Sequence, residues 1–146
     1  MRAVVQRVSR GEVRVAGDTV GVIDRGFVVL LGVVASDTAD IAAKLAAKIA
    51  QLRIFPDDAK PMNRSVVDVG GAVLVVSQFT LVADTSRGNR PSFTTAAPPA
   101  HANAIYDAFV SAMRTQVAHV ACGEFGADMQ VELVNDGPVT FVLDAS

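Results

Sequence analysis

The sequence has almost no cysteine and no long apolar run. Its single cysteine, Cys122, excludes an internal disulfide and any zinc site built from several cysteines. The longest apolar run, residues 27–35, is far shorter than the roughly 20 residues that cross a bilayer. The N-terminus carries Arg7 where a signal peptide needs an uninterrupted apolar region. We therefore expect a cytoplasmic protein without a membrane segment.

The sequence also lacks an excess of positive charge. Its formal net charge is −2, so it does not have the basic surface of a protein that binds duplex nucleic acid. We expect no DNA partner, and any contact with RNA should be local and short. Charged residues make up 19% of the chain, less than the average of about 25%. This favours apolar surface that is covered in an oligomer.

What the chain does have is enough apolar residues for one core. Hydrophobic residues make up 51% of its 146 positions, which excludes disorder and favours a single domain over residues 1–146. Alternating residues predict strands across residues 2–35. The run from Phe27 to Val34 is apolar on both faces and predicts a central strand covered on both sides.

Two later segments have the apolar spacing of helices. The first covers residues 37–52 with Asp37 as its N-cap, and the second starts at Pro98-Pro99. Further strands are predicted at residues 72–76, 130–134 and 139–143. The fold class is therefore α+β: a mostly antiparallel sheet with a barrel-like core and two packed helices.

The familiar catalytic side chains give weak signals. Cys122 could be a nucleophile with His101 or His119 as its base, but its place at a strand end is more typical of a small buried hydrophobe. Both histidines are more typical of structural or solvated positions. No histidines or carboxylates have metal-ligand spacing, and no Gly-rich phosphate loop is present. The long polar segment from Asp84 to Ala97 is a candidate functional loop.

Two polar motifs interrupt apolar strands. In residues 77–80, Ser77 and Phe79 face one way on a strand, while Gln78 and Thr80 face the other. Such a cluster either serves a ligand or lies at a solvent-facing strand end. The second motif, residues 135–138, has the pattern of a hairpin turn, although its proline removes an amide donor and allows a cis peptide bond. The pattern alone leaves both alternatives open.

Taken together, these motifs resemble the D-aminoacyl-tRNA deacylase family, also described as D-tyrosyl-tRNA(Tyr) deacylases, over essentially the whole chain. The most specific matches are Ser77-Gln78-Phe79-Thr80-Leu81 and Asn135-Asp136-Gly137-Pro138-Val139-Thr140. The resemblance implies a homodimer that hydrolyses the ester between a D-amino acid, or glycine, and the 3′ end of a tRNA. Such enzymes clear mischarged tRNAs and spare L-aminoacyl-tRNA. Neither a metal nor an organic cofactor is implied.

The resemblance also assigns residues that bind the substrate. It implies that Gly137 and Pro138 form a cis dipeptide that reaches into the partner subunit's pocket and crowds out an L side chain. Arg7 matches the arginine that holds the carbonyls of this dipeptide. Phe125 and Met129 match positions that line the amino-acid or adenine side of the pocket.

The same resemblance makes Ser77, Gln78, Phe79 and Thr80 the catalytic wall. Main-chain amides near Phe79 and Thr80 would hold the developing oxyanion. Thr80 is the obvious nucleophile, yet the sequence offers it no base, so we favour attack by water helped by the 2′-hydroxyl of the terminal ribose. Two other functions remain open: a non-catalytic module that binds aminoacylated tRNA 3′ ends, and a hydrolase for other acyl esters.

Basic residues outside these motifs are further candidates for contact with tRNA. Arg87 and Arg90 lie in the polar loop, and Lys44 and Lys48 lie on the first predicted helix. An ordinary solvated surface explains each of them equally well. Because only the tRNA terminus has to enter the site, binding should depend on salt less steeply than in a protein that contacts many phosphates.

Overall fold

The computed structural model describes residues 1–146 and begins with three strands. They are β1 (Arg2–Val15), β2 (Asp18–Ile23) and β3 (Gly26–Gly32). The remaining elements are α1 (Ala39–Ala50), β4 (Ala72–Ser77), a 3-10 helix (Phe79–Val82), α2 (Pro99–Gln116), β5 (Val120–Cys122) and β6 (Met129–Asp144). None of the helices has the length and apolar character needed to cross a bilayer.

The strands form one mixed sheet in the order β2-β1-β3-β4-β5, with β6 also paired to β1. β1 is antiparallel to β2, β3 and β6. β3 and β4 are parallel, as are β4 and β5, because α1 and α2 return the chain to the same end of the sheet. The α+β class with two helices is confirmed. The parallel pairings make the sheet more mixed than expected.

The sheet curves until β2 nearly meets β5. At Gly21 of β2, an added Cβ would lie 2.6 Å from the carbonyl oxygen of Cys122 in β5. Real Cβ atoms do not approach an oxygen so closely, so glycine is needed where the two strands converge. The barrel-like shape predicted from the sequence is confirmed.

β3 is buried on both faces, as its sequence predicts. Phe27, Val29 and Leu31 belong to the apolar core between the sheet and the two helices. Val28 lies on the opposite face, in a smaller core inside the curved sheet. Neighbouring side chains of a strand point to opposite faces, so an uninterrupted apolar run joins the two cores.

The cap predicted for the first helix is wrong by one residue. α1 begins at Ala39, and the hydroxyl of Thr38 accepts a hydrogen bond from the amide of Ile41 at 3.3 Å. The carboxylate of Asp37 instead accepts from the N-terminal ammonium of Met1 at 2.8 Å and from the amide of Val34 at 2.7 Å. A buried ammonium needs a negative partner, and this long-range requirement takes Asp37 away from the helix.

The chain does not reverse at residues 135–138. β6 continues as one strand along β1 on both sides of this motif. Val8 pairs with Asn135 and Gln6 pairs with Thr140, so a step of two residues in β1 faces a step of five in β6. The surplus residues of β6 form a bulge that projects from the sheet. The expected strands at residues 130–134 and 139–143 are therefore two halves of β6.

Candidate functional site

A cavity of about 610 Å³ lies at the carboxyl ends of the parallel strands β3 and β4. Leu31 near the end of β3, and Val76 and Ser77 at the end of β4, form its floor. Ligands commonly bind at this end of parallel strands, because the chain leaves the sheet there in loops. The following segments then close the cavity: the 3-10 helix, the start of α2 and residues 125–131.

The polar wall of the cavity is the predicted motif at the end of β4. Ser77, Gln78 and Phe79 all line the cavity. The expected alternation of faces is wrong here, because β4 ends at Ser77 and the 3-10 helix begins at Phe79. The amide of Gln78 donates to the carbonyl of Leu31 at 2.8 Å, which fixes the turn. Thr80 is exposed beside this wall, and its hydroxyl accepts a hydrogen bond from the side-chain amide of Gln78.

The 3-10 helix begins at Phe79, a residue that lines the cavity, and its first main-chain amides are candidate hydrogen-bond donors. Leu81 is the first of its residues to donate back along the chain, to the carbonyl of Gln78 at 3.2 Å. The first N–H groups of a helix have no acceptor within it. The amides of Phe79 and Thr80 therefore have no acceptor inside the 3-10 helix.

The apolar wall contains both of the predicted residues and one that the sequence analysis missed. Phe125 and Met129 line the cavity together with Tyr106 of α2. The Tyr106 ring is 5.9 Å from that of Phe125, and its hydroxyl donates to the carbonyl of Val75 at 2.9 Å. Burial raises the pKa of this phenol, which therefore stays a neutral donor. It is buried together with Ile105 and Phe109 of α2, so nothing in the sequence distinguishes it from an ordinary core residue.

Arg7 lies under the bulge of β6 and is only 9% exposed. Its guanidinium donates to the carbonyl of Asp136 at 2.9 Å and to the carbonyl of Ile54 at 2.6 Å. The carboxylate of Asp136 is 3.2 Å away. The carbonyl that Arg7 binds thus belongs to the residue just before Gly137. The Gly137–Pro138 bond is cis, and both residues are exposed.

Asn135 closes the base of the same bulge. Its side-chain amide donates to the carbonyl of Arg7 at 2.9 Å and to the carbonyl of Val139 at 3.1 Å. Val139 is itself buried in the main core. The bulge is therefore held at both ends while Gly137 and Pro138 project into solvent.

The bulge does not contribute to the cavity of its own chain. Arg7 pairs with Phe27, whereas the cavity residue Leu31 pairs with Ala3. Four residues of strand separate these two positions, or about 13 Å at 3.3 Å per residue. Neither Gly137 nor Pro138 lines the cavity. The structure thus brings Ser77, Gln78, Phe79, Phe125 and Met129 together and leaves Arg7, Gly137 and Pro138 apart from them.

The other candidate side chains, His101, His119 and Cys122, lie outside the polar wall of the cavity. The His101 ring is 3.0 Å from the carbonyl of Asp37. His119 is exposed just before β5. Burial raises the pKa of the Cys122 thiol, which disfavours the reactive thiolate. No group of three or more His, Cys, Asp or Glu residues is placed to hold a metal ion.

Comparison with solved structures places this fold among known ones. A structure described as a c-Myc DNA Unwinding Element Binding Protein superposes with a TM-score of 0.94 and 40% identity, over 100% of this chain and 99% of that one. A probable eukaryotic D-amino acid tRNA deacylase superposes with a TM-score of 0.86, over 97% of each chain. At 17% identity the second comparison shows a shared fold.

Comparison with protein sequences identifies the family. A D-aminoacyl-tRNA deacylase of Anaeromyxobacter dehalogenans is 60% identical over 145 residues, which are 99% of this chain and 97% of that protein. One from Thermus aquaticus is 57% identical over 146 residues, which are 100% of this chain and 96% of that protein. The family model described as D-Tyr-tRNA(Tyr) deacylase matches residues 4–144. The chain belongs to the D-Tyr-tRNA(Tyr) deacylase family.

Proposed function

We propose that this protein hydrolyses the ester bond between a D-amino acid and the 3′-terminal adenosine of a tRNA. The observation that carries the proposal is the cavity at the ends of β3 and β4, whose lining combines the polar side chains of Ser77 and Gln78 with the aromatic rings of Tyr106 and Phe125. An aminoacyl-adenosine has one polar reacting centre between two largely flat or apolar groups. A cavity with one polar and one apolar wall suits this chemistry.

The reaction adds one water molecule across the ester. The water oxygen bonds to the carbonyl carbon, the bond from this carbon to the ribose oxygen breaks, and the proton passes to the departing ribose oxygen. The carbonyl oxygen carries negative charge in between. The amides of Phe79 and Thr80 would stabilise that charge without rearranging, which is where such donors are most effective. The products are a free D-amino acid and a free tRNA.

Thr80 orients groups in this mechanism and does not attack the ester. Its hydroxyl is engaged by the amide of Gln78, and neither histidine lies in the polar wall. An unactivated hydroxyl is a poor nucleophile near neutral pH. Water therefore attacks, with the neighbouring 2′-hydroxyl of the substrate helping to move its proton. No metal or organic cofactor takes part.

The enzyme acts as a homodimer in which each bulge enters the partner's cavity. β6 supports this arrangement because it pairs with β1 alone and exposes Val131, Val134 and Val142 by 37%, 55% and 63%. A long open strand edge with apolar side chains needs a cover. Seating Gly137 and Pro138 of one subunit in the other would place main-chain carbonyls against the substrate's amino group and leave no room for an L side chain.

A filter of this kind does not act on glycine. Glycine has no side chain to exclude, so glycyl-tRNA is a substrate as well. The cellular role that follows is translation quality control in the cytoplasm, where mischarged tRNA is returned to the free pool. Rejection of the wrong hand by steric exclusion needs no favourable contact with any particular D side chain.

The decisive experiment compares the release of amino acid from D-tyrosyl-tRNA and L-tyrosyl-tRNA without added metal. We expect fast loss of the D-ester while the L-ester decays at its spontaneous rate. Stable binding of D-tyrosyl-tRNA without hydrolysis would instead support a non-catalytic module for aminoacylated tRNA ends. Equal cleavage of both esters would refute the chiral filter.

A further inference from the structure

Two aromatic rings at the rim of the cavity are unusually exposed. Phe79 is 60% exposed and Phe93 is 38% exposed, whereas Phe27, Phe55 and Phe109 are fully buried. The rings of Phe79 and Phe93 are 5.0 Å apart and inclined at 57°. Both also line the cavity. Their faces therefore continue the apolar surface of the cavity outward into solvent.

The loop that carries Phe93 is firmly attached to the rest of the site. Asp84 and Ser92 exchange two main-chain hydrogen bonds of 2.8 and 2.9 Å, which close residues 84–92 into a small hairpin. Phe93 follows directly. The hydroxyl of Thr95 then donates to the carbonyl of Val82 in the 3-10 helix at 2.9 Å. The position of Phe93 against Phe79 is thus fixed from both sides.

The hairpin carries two arginines with no acidic partner. Arg87 and Arg90 are exposed, and neither has a carboxylate within 4.0 Å. The acidic group at the base of the hairpin, Asp84, accepts a hydrogen bond from the amide of Ser86 at 2.9 Å. The two guanidinium groups are therefore available to an external anion.

We propose that this hairpin and the aromatic pair form a second subsite, which binds the unpaired nucleotides preceding the terminal adenosine of tRNA. Their bases stack on Phe93 and Phe79, and their phosphates bind Arg87 and Arg90. This inference rests on the proposed function, because it places the terminal adenosine in the adjoining cavity. Exposed rings beside unpaired arginines suit a single strand, whose bases are free to stack. A duplex would hide its bases from the rings.

The test compares three D-tyrosyl esters: adenosine alone, a trinucleotide with the sequence of the tRNA 3′ end, and full tRNA. The wild-type protein should cleave the trinucleotide ester at least tenfold more efficiently in kcat/KM than the adenosine ester. Arg87→Ala/Arg90→Ala should lower kcat/KM for the trinucleotide about tenfold and leave the adenosine ester unchanged. If no ester is cleaved, the proposed function itself fails.

A control variant distinguishes the position of the two arginines from their effect on the net charge. Lys44→Ala/Lys48→Ala removes the same charge from exposed positions of α1 and should leave the ratio between trinucleotide and adenosine esters unchanged. An equal loss in this variant would show that net charge alone matters and would overturn the proposal. If Arg87→Ala/Arg90→Ala lowered kcat/KM for full tRNA but not for the trinucleotide, the arginines would contact the duplex of the tRNA. This result would also overturn the proposal.

Phe93→Ala tests the stacking surface separately. It should reduce kcat/KM for the trinucleotide about tenfold, which is within the range for stacking of one base, while Phe93→Tyr restores it. Sedimentation of Phe93→Ala tests whether the substitution acts indirectly, through the oligomeric state. If Phe93→Ala changed the oligomeric state instead of the preference for the trinucleotide, the ring would be a subunit contact and the subsite would not exist.

Discussion

Arg7 donates a hydrogen bond to the main-chain carbonyl of Asp136, which follows it by 129 positions, across 2.9 Å. One buried guanidinium thereby joins the bulge of β6 to the carbonyl of Ile54 after α1. The two carbonyls are bound by different nitrogens of one planar guanidinium, and the single nitrogen of a lysine lacks this fixed spacing of donors. The position of the proposed chiral filter therefore depends on a residue near the start of the chain.

Arg7→Lys should disturb the bulge that carries the proposed chiral filter and lower both stability and activity. The lysine keeps the charge but loses the fork that binds both carbonyls, and hydrogen bonds to charged groups contribute about 1.5–3 kcal/mol each. We expect a decrease of about 2 kcal/mol in the free energy of unfolding, measured with urea, and slower cleavage of D-tyrosyl-tRNA. Wild-type kinetics in Arg7→Lys would show that the bulge is held by other contacts.

Gly137→Ala should remove deacylase activity without unfolding the protein. A Cβ at this position would lie 2.5 Å from the side-chain oxygen of Asn135 and 2.8 Å from the amide of Val139, so the bulge must shift. We expect a loss of about a hundredfold in kcat/KM, the size typical of a misplaced positioning group, with a melting temperature close to that of wild type because the residue is exposed. Gly17→Ala, in the distant turn between β1 and β2, is the control: its φ of 86° makes the alanine destabilising, but activity should be retained.

Mixing two variants tests the shared site, because Gly137→Ala alters the bulge and Gln78→Ala removes the side chain that binds Thr80. In a dimer of Gly137→Ala with Gln78→Ala, one cavity has an intact wall and receives an intact bulge, whereas the other is defective twice. We expect about half of the wild-type activity from isolated heterodimers, since one of two sites is restored. Heterodimers as inactive as either parent would contradict the exchange of bulges.

Asp37→Asn should destabilise the fold. The carboxylate and the ammonium of Met1 are 2.8 Å apart, and their side chains are 1% and 0% exposed. Removing one partner of a buried pair typically costs about 3–5 kcal/mol. We expect a decrease of about 3 kcal/mol in the free energy of unfolding. Asp40→Asn, at an exposed position in the first turn of α1, should change it by well under 1 kcal/mol by the usual size of surface effects.

The thiol of Cys122 should be slow to react at neutral pH. Burial raises its pKa, so the neutral thiol persists at pH values where a free cysteine has begun to ionise. Alkylation by iodoacetamide should accelerate only at higher pH than in an unfolded control peptide. Cys122→Ala should keep full deacylase activity. Fast alkylation at pH 7, or loss of activity in this variant, would reopen the case for a cysteine nucleophile.

The sequence predicts this structure best where a pattern is local. The apolar run of β3 and the polar residues at the end of β4 can be recognised from the sequence, because the polarity of the side chains changes within a few positions. Tyr106 is not predicted, because a residue that lines a pocket from a helix has the same sequence pattern as a core residue. Asp37 is misread because its partner is the distant N-terminus, and the bulge at Gly137 looks like a turn because its pairing with β1 is not a local property.

Insertions and deletions within the bulge of β6 should affect the sheet differently from those elsewhere in the strand. Register with β1 is fixed at Asn135 and recovered at Thr140, so residues inserted or removed between them need not slide either half of the strand. A one-residue slip elsewhere in β6 would turn every following side chain to the opposite face. Insertions and deletions at the tip of the bulge should therefore leave the register of the rest of the barrel unchanged.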